Sequence, residues 1–575
     1  MSALWSAIDA VNAVLLSVPV LLALLGIGLL FSVWSKFCQY RSLTHGVALC
    51  AGRGIETAHG AGALSHFQAL TAAMSGTVGL GAIAGMAIAV DFGGPGAVFW
   101  MWLVGLVGMA LKTTEVTLSL LYRDTAEDGN PHGGAMYVLR NGLARIHPRL
   151  APLARFAGGF FCLALLLFAF TGGNMFQTWT VADTTREYFG VPTWITGVVL
   201  AIACGVVILG GIRRIGGVTS FLVPLKCGVY VLCGLYVILH FADRLPELFR
   251  LIFHGAFSKT EASGAFAGGV MGTAFMWGMK RALFSSEAGL GTAPIAHSAV
   301  KTPEPVTEGV VAGLEPFIDT IFVCTVTGLV VLSTGVWDRA PAVGWQTPPA
   351  IVRTAGGWAP QLDRLPPGAP AELHSDGAPV FVVVEADGRR ERLYGSVHLR
   401  DQGPTIDWQP LSAAATPRMA EGGLFADYRG ATLVAKAFDA VQPGLGRWLI
   451  TLAVWVFGLS CIISYGYYGE QGVIYLGLAR HVRLYRLLWC CAAAAATFGF
   501  IQTSVQLDAI STVGMGFMYA INLPLMLVLG GRAMRAYHDY FRRLKAGKIA
   551  RVAKDLPVTG SRPLQGPDDV KPWRS

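Results

Sequence analysis

Residues 75–102 read SGTVGLGAIAGMAIAVDFGGPGAVFWMW, an apolar run of membrane length that carries Gly76, Gly79, Gly81 and Gly85 in its first half. Glycine weakens a helix and frees backbone N–H and C=O groups that hydrocarbon cannot satisfy. Broken backbone at membrane depth is tolerated only where protein buries it or where it lines a cavity. In secondary transporters that is where substrate and ions bind. This stretch therefore demands a bundle of spanning helices built around an interrupted one. The competing reading of the same glycines is a small-residue packing face between helices, although GTVGLG is denser in glycine than packing requires.

The bulk numbers agree with a polytopic membrane protein: 575 residues, 53% hydrophobic and only 14% charged, with mean hydropathy +0.53. A soluble chain runs nearer 25% charged. The net charge of +9 lies mainly in short loops and the tail, which is how membrane topology is specified. It is not interleaved with aromatics as a nucleic-acid surface would be. The ten cysteines form no CxxC and no metal spacing, so they read as small packing residues. The first apolar run lacks an A-x-A cleavage site and is expected to be a retained helix.

Eleven spans are expected, at 13–34, 66–91, 97–121, 156–178, 193–211, 216–240, 263–285, 310–335, 446–470, 486–501 and 508–530. Basic residues follow the odd-numbered spans: Arg41 and Arg53, then Arg140 to Arg155, Arg213 with Arg214, Lys280 with Arg281, Arg480 to Arg486, and the tail after Arg532. This places the N-terminus outside and the C-terminus in the cytoplasm of a multi-pass cell-membrane protein. An extra N-terminal helix and its loop would occupy 1–62, a first five-helix half 63–240, a second half 263–335 plus 440–531, and a basic tail 532–575. Residues 338–430 are rich in Pro, Gly and charge and fall outside the membrane. Within them PVFVVVEADGRRERLYGSVHL reads as a β-hairpin turning at Ala386, Asp387 and Gly388. That insert is either a small β-rich cap or a tolerated loop insertion. The second half is expected to carry its own interruption at AFAGGVMGTAFMWG, through Gly268, Gly269, Gly272 and Thr273. Paired interruptions point to a site at the membrane midplane, and five spans per half would set the halves in inverted orientation.

A break at Thr77–Gly81 leaves N–H groups at the start of the second half-helix, which favour a carboxylate. Carbonyls near Ser75 and Gly76 at the end of the first suit Na⁺ or an ammonium group, so one broken helix can hold both ends of an amino acid. Asn174 and Gln177, three apart on one face, either contact substrate or make an interhelical hydrogen bond. Thr273 is a further polar candidate. Asp319 and Glu315, spaced i and i+4, are candidates for cation or proton coupling; the alternative puts them near the cytoplasmic end, paired with Lys or Arg and partly wet. Lys112 and Glu115 are expected to form a salt bridge. Glu287 is a structural or gating candidate that caps the next helix or pairs with Arg281. Asp91 is expected to end the first broken helix at the outer surface. A lone histidine such as His297 in a cytoplasmic loop reads as polar surface. With no HExxH, GxSxG, P-loop or Cys/His cluster, catalysis has nothing to stand on, and no cofactor is expected.

SGTVGLGAIAG, GGPGAVFWMW, HGGAMYVL, TGGNMFQ, GGIRRIGGVT, KRALFSSEAGLGTAPIAH, FIDT and SYGYYGE occur in this order. Together they resemble the alanine or glycine:cation symporter family over nearly the whole chain, the external insert and tail excepted. The resemblance implies an all-α LeuT-type inverted repeat of two five-helix halves plus one extra helix. It also implies Na⁺-driven import of small neutral amino acids such as alanine and glycine. The candidate substrate-binding residues are then Thr77, Gly79, Gly81, Asn174, Gln177, Thr273 and Tyr465, of which Asn174 and Gln177 match the family's GN-x-x-Q pattern. Ser75, Gly76, Ser460 and Ser464 would bind the cation; Ser460 and Ser464, at i and i+4, present oxygens on one face. Ala82, Ser286, Cys461 and Tyr465 depart from the family pattern, Cys461 losing a hydroxyl in the span expected to serve a sodium site. Proton coupling to another small amino acid, or a diverged sensor with an external cap, are the alternatives.

Overall fold

The computed structural model describes residues 2–53, 62–125, 131–257, 272–345, 347–354, 356–386, 389–400, 403–420, 422–428, 430–499 and 504–549. Its longer helices are α1 Ser2–Leu15, α2 Val18–Trp34, α3 His66–Thr77, α4 Met86–Gly93, α5 Gly96–Tyr122, α6 Ala151–Phe168, α7 Phe176–Phe189, α8 Thr193–Ile208 and α9 Gly211–His240. These are followed by α10 Leu245–Phe257, α11 Thr273–Ser286, α12 Pro305–Ala312, α13 Cys324–Thr334, α14 Ala431–Asp439, α15 Leu445–Tyr475, α16 Val482–Ala495 and α17 Ser504–Lys545. Among the described residues, seven helical stretches are long and apolar enough to cross a membrane, or eight when His66–Thr77 and Gly81–Gly93 count as one span bent by 54°. Of the other expected spans, 193–211 forms the shorter apolar α8, 486–501 overlaps the 14-residue α16, and 263–285 is described only from residue 272 as α11.

Burial sorts the spans into an inner and an outer set. The apolar windows of α5 and α15 are each 78% buried inside the protein, whereas that of Ala10–Trp34 is 28% buried and that of α9 33%. With no hydrophobic force between helices in lipid, close approach depends on small residues. On α5, a Cβ added at Gly105 would stand 2.7 Å from Ile321 and one at Gly108 3.1 Å from Ala288. At its 27 residues, α5 is about 40 Å long, ample for a hydrocarbon core of about 30 Å. Helix α3 opens on a capping box, in which Ser65 Oγ accepts from Gln68 N–H and Gln68 Oε1 accepts from Ser65 N–H.

The insert is a folded β unit. Strands β1 Asp124–Thr125 and β2 Pro131–His132 pair in the helical part; β3 Val343–Gly344 through β10 Gly423–Ala426 belong to the insert. Strands β6 Ala378–Ala386, β7 Arg389–Arg400 and β8 Gly403–Trp408 form an antiparallel meander flanked by β10 and β3, with β9 Arg418–Met419 also pairing β6. The expected hairpin is β6–β7. Its register sets Ala386 opposite Arg389, with Asp387 and Gly388 of the turn outside the described residues. Alternation along β6 buries Val380, Val382 and Val384 in a core shared with Leu393, Val397, Ile406 and Leu424.

This unit grips the end of α4. Arg392 of β7 donates to Asp91 Oδ2 at 2.7 Å and to the Asp91 carbonyl at 3.0 Å, while Arg339 reaches Asp91 Oδ1 at 3.4 Å. The carboxylate is 2% exposed, so this is a shielded, multidentate clamp rather than a surface ion pair. Arg392→Ala should cost about 3 kcal/mol locally. The expected readout is faster amide exchange across residues 86–93 and 378–400, with exchange in α15 unchanged. Equal exchange in the variant and wild type would show that the insert does not hold α4.

Candidate functional site

Helix α3 stops at Thr77 and the chain turns through Val78, Gly79 and Leu80 before resuming at Gly81. The Gly79 N–H bonds the Thr77 carbonyl at 2.7 Å, a tight turn that leaves the next N–H groups without helical acceptors. Every residue from Thr71 to Met86 is buried. The Thr77 hydroxyl has no hydrogen-bond partner among the described residues.

Helix α15 seals the carbonyl end of this break. Ser75 Oγ donates to the Ser460 carbonyl at 2.7 Å, and Ser460 Oγ returns a bond to the Ser75 carbonyl at 3.3 Å. The Cys461 thiol donates to the Gly76 carbonyl at 3.3 Å, doing what a hydroxyl would do there. Ser464 Oγ bonds the Ala72 carbonyl at 2.9 Å, one turn farther from the break. The four residues expected to bind a cation, Ser75, Gly76, Ser460 and Ser464, thus share one seam, where Ser75 and Ser460 bond each other, Gly76 bonds Cys461 and Ser464 bonds Ala72. The Val78 carbonyl is taken by a residue the sequence reading passed over: the Lys226 ammonium of α9 donates to it at 2.6 Å and to Ser460 Oγ. A single lysine inside a 30-residue apolar helix was the available signal.

A second interruption faces the first; the one expected at AFAGGVMGT falls mostly outside the described residues. Residues 258–271 lie outside those described; Gly272 precedes α11, and Thr273 opens a regular helix. The unwound backbone comes at the other end of α11, over Glu287–Thr292, with φ of 49° at Glu287, 83° at Gly289 and 89° at Gly291. Left-handed backbone suits the two glycines and strains Glu287. The breaks adjoin: a Cβ on Gly81 would stand 3.3 Å from Phe284 and 3.5 Å from Ser285 Cα. Tyr465 spans them, its ring 3.5 Å from a Cβ placed on Gly76 and its hydroxyl donating to Glu287, which also accepts from Thr292 at 2.7 Å. Glu287 therefore pins the second break from within. Arg281, its expected partner, reaches Asp508 at 3.5 Å instead.

Other candidates sort by where their elements carry them. Asp319, in a π-helical turn at Phe317–Val323, is fully buried rather than wet. One carboxylate oxygen accepts from Ser285 and Thr320; the other, Oδ1, is unpartnered among the described residues. Glu315, i−4 to it, faces away into an ionic network. Asn174 donates to the Trp489 carbonyl of α16 at 2.9 Å, which is the interhelical alternative. Gln177 bonds the Gly172 carbonyl at 3.2 Å, and both side-chain oxygens of the pair lack partners among the described residues. Thr273 lies 12 residues from Ser285 along α11, about 18 Å, and is not brought to the breaks.

His297 is the clearest correction. It is 0% exposed, with Nδ1 on Glu308 and Nε2 on Glu315 Oε1 at 2.6 Å. His66 pairs the other Glu308 oxygen, Lys112 reaches Glu315 at 3.3 Å and Glu115 at 4.0 Å, and Asn522 of α17 donates to Glu115 at 3.1 Å. The histidine is internal because the segment after the second break folds back into the bundle. Its partners sit 11 and 18 residues later, a spacing that no local pattern reveals.

Two facing interruptions, buried in a bundle of apolar helices and lined by polar groups, define a secondary transporter. The chain belongs to the sodium:alanine symporter family, whose model matches residues 1–362 and 414–554. Strands β6, β7 and β8 fall wholly in the unmatched gap. The sodium/alanine symporter AgcS of Methanococcus maripaludis is 34% identical over 85% of this chain and 87% of its own length. The sodium/proton-dependent alanine carrier protein of Bacillus sp. strain PS3 is 27% identical over 84% and 90%. Among solved structures, a manganese transporter from Eremococcus coleocola is similar at 13% identity and TM-score 0.42, over 80% of this chain and 77% of that one.

His297→Ala leaves Glu308 and Glu315 facing each other without the ring between them. It is expected to cost about 3–5 kcal/mol, read as a lower unfolding temperature in detergent than wild type. A change below about 1 kcal/mol would show that the network does not hold these elements together.

Proposed function

We propose that the protein is a cation-coupled importer of a small neutral amino acid, alanine first and glycine second, working by alternating access at the two breaks. The observation that carries this reading is the buried turn at Val78–Leu80. The N–H groups of Leu80 and Gly81, at the positive end of the second half-helix, suit a carboxylate. The open Asp319 oxygen, held beside Gly81 through Ser285, supplies the opposite charge for the amino group. A Cβ added at Gly81 would stand 3.3 Å from Phe284 and one at Gly79 3.4 Å from Cys461, a tightness that favours a small substrate side chain. The family description and the AgcS name supply Na⁺ as coupling ion; the carrier of strain PS3 is named for both sodium and proton.

In this reading the spans compose two inverted five-helix halves after one extra helix. Rocking of one bundle against the other opens the site to either side while substrate in the breaks favours the closed state. Tyr465 joins the two breaks and so reports on both. The N-terminus faces outward and the insert covers the external mouth.

The test is uptake of labelled alanine and glycine into proteoliposomes under an imposed Na⁺ gradient and, separately, an H⁺ gradient. Accumulation under either gradient is the expected result; binding without uptake under both would favour a sensor. Gly81→Leu, which drives a side chain onto Phe284 and Ser285, should cut alanine affinity by about tenfold or more with expression retained. Normal transport by that variant would remove the break from the substrate site.

A further inference from the structure

Helix α9 buries a cation that no acid among the described residues matches. Lys226 is 4% exposed, and among the described residues its ammonium has no carboxylate within ion-pair distance. Its hydrogen bonds go to the Val78 carbonyl and the Ser460 hydroxyl, and the Phe457 ring lies 4.7 Å from Nζ. The other ionisable groups around it are Cys227 on its own helix and Cys461 on α15, with Asp319 acting at longer range.

These are the groups a small cation would use. The end of α3 carries the negative pole of its macrodipole, and in broken-helix transporters such carbonyls coordinate the coupling ion. Here the carbonyls of Ala72, Ser75, Gly76 and Thr77 are already taken by Ser464, Ser460, Cys461 and the Gly79 N–H. Val78 is the one left, and the ammonium fills it. A Na⁺ ion on the same two oxygens would be held against a fixed like charge in a low-dielectric interior. Lysine is otherwise a costly residue at this depth, kept for a purpose.

We propose that the Lys226 ammonium is a tethered replacement for the sodium ion at the α3–α15 seam, so that this chain binds its amino acid with no requirement for Na⁺. The proposal rests on the breaks being the amino acid site and names the cation that completes it. Lys226 acts as a positioning residue: it fixes the turn at Val78 and thereby aims the N–H groups that follow.

Two readouts on the purified full-length protein test it. Binding of radioactive Na⁺ is measured by scintillation proximity without amino acid, and alanine affinity is measured in sodium chloride and in choline chloride. Wild type is expected to show no saturable Na⁺ binding and an alanine affinity equal in the two salts within about twofold. Lys226→Met, which keeps the chain length and removes the charge, should lose about tenfold in alanine affinity in choline and recover when Na⁺ is added. Saturable Na⁺ binding by wild type, or an alanine affinity about tenfold weaker in choline, overturns the proposal even if the variant does not fold. Absence of alanine binding in every salt defeats the amino acid reading instead, while the Na⁺ measurement still decides the lysine.

Discussion

Everything at the centre of this protein follows from one constraint: a helix has been broken where no water can repair it. Each backbone group exposed by that break must find a partner inside the protein or be kept for a ligand. The carbonyl side is closed by α15 through two serines and a thiol, with the final carbonyl given to Lys226. On the amide side, the helix geometry leaves N–H groups without helical acceptors. This asymmetry turns a structural liability into a place for an anion, and it fixes which helices must stay in contact for the place to exist.

The surroundings hold that geometry from three directions. Glu287, in a left-handed conformation, ties the second break to Tyr465 and Thr292. Behind it, the chain His66–Glu308–His297–Glu315–Lys112–Glu115 links the start of α3 to α5, the post-break segment, α12 and the turn before α13. Alternating acids and bases keep such a network satisfied, which is the condition for burying so many charges. At the far end the insert clamps Asp91 through two arginines, so movement of α4 is coupled to a unit largely outside the family's matched region. The insert also ties to α14, where Lys436 pairs with Glu372.

How much of this the sequence carried depends on how local each feature is. The first break was legible because its glycines are contiguous and have no other use in hydrocarbon. The β6–β7 hairpin was legible from alternation around Asp-Gly. The unwound stretch at EAGLGT is harder to read, because a strained Glu287 shares the work with Gly289 and Gly291 and glycine count alone does not mark it. His297 and Asp319 were undervalued because their environment is made by contacts far along the chain. Asn174 looked like a substrate ligand from its spacing, yet α16 offers the Trp489 carbonyl first. Lys226 was in plain view as an isolated charge in an apolar helix, and only the structure shows which oxygens it meets.

The most direct test of the central claim is a structure of the protein determined with alanine bound. The account places the carboxylate against the N–H groups of Leu80 and Gly81 and the amino group toward Asp319, with Tyr465 still on Glu287 and the Lys226 ammonium still on the Val78 carbonyl. Alanine seated elsewhere in the bundle, with the turn at Val78–Leu80 closed and empty, would contradict it.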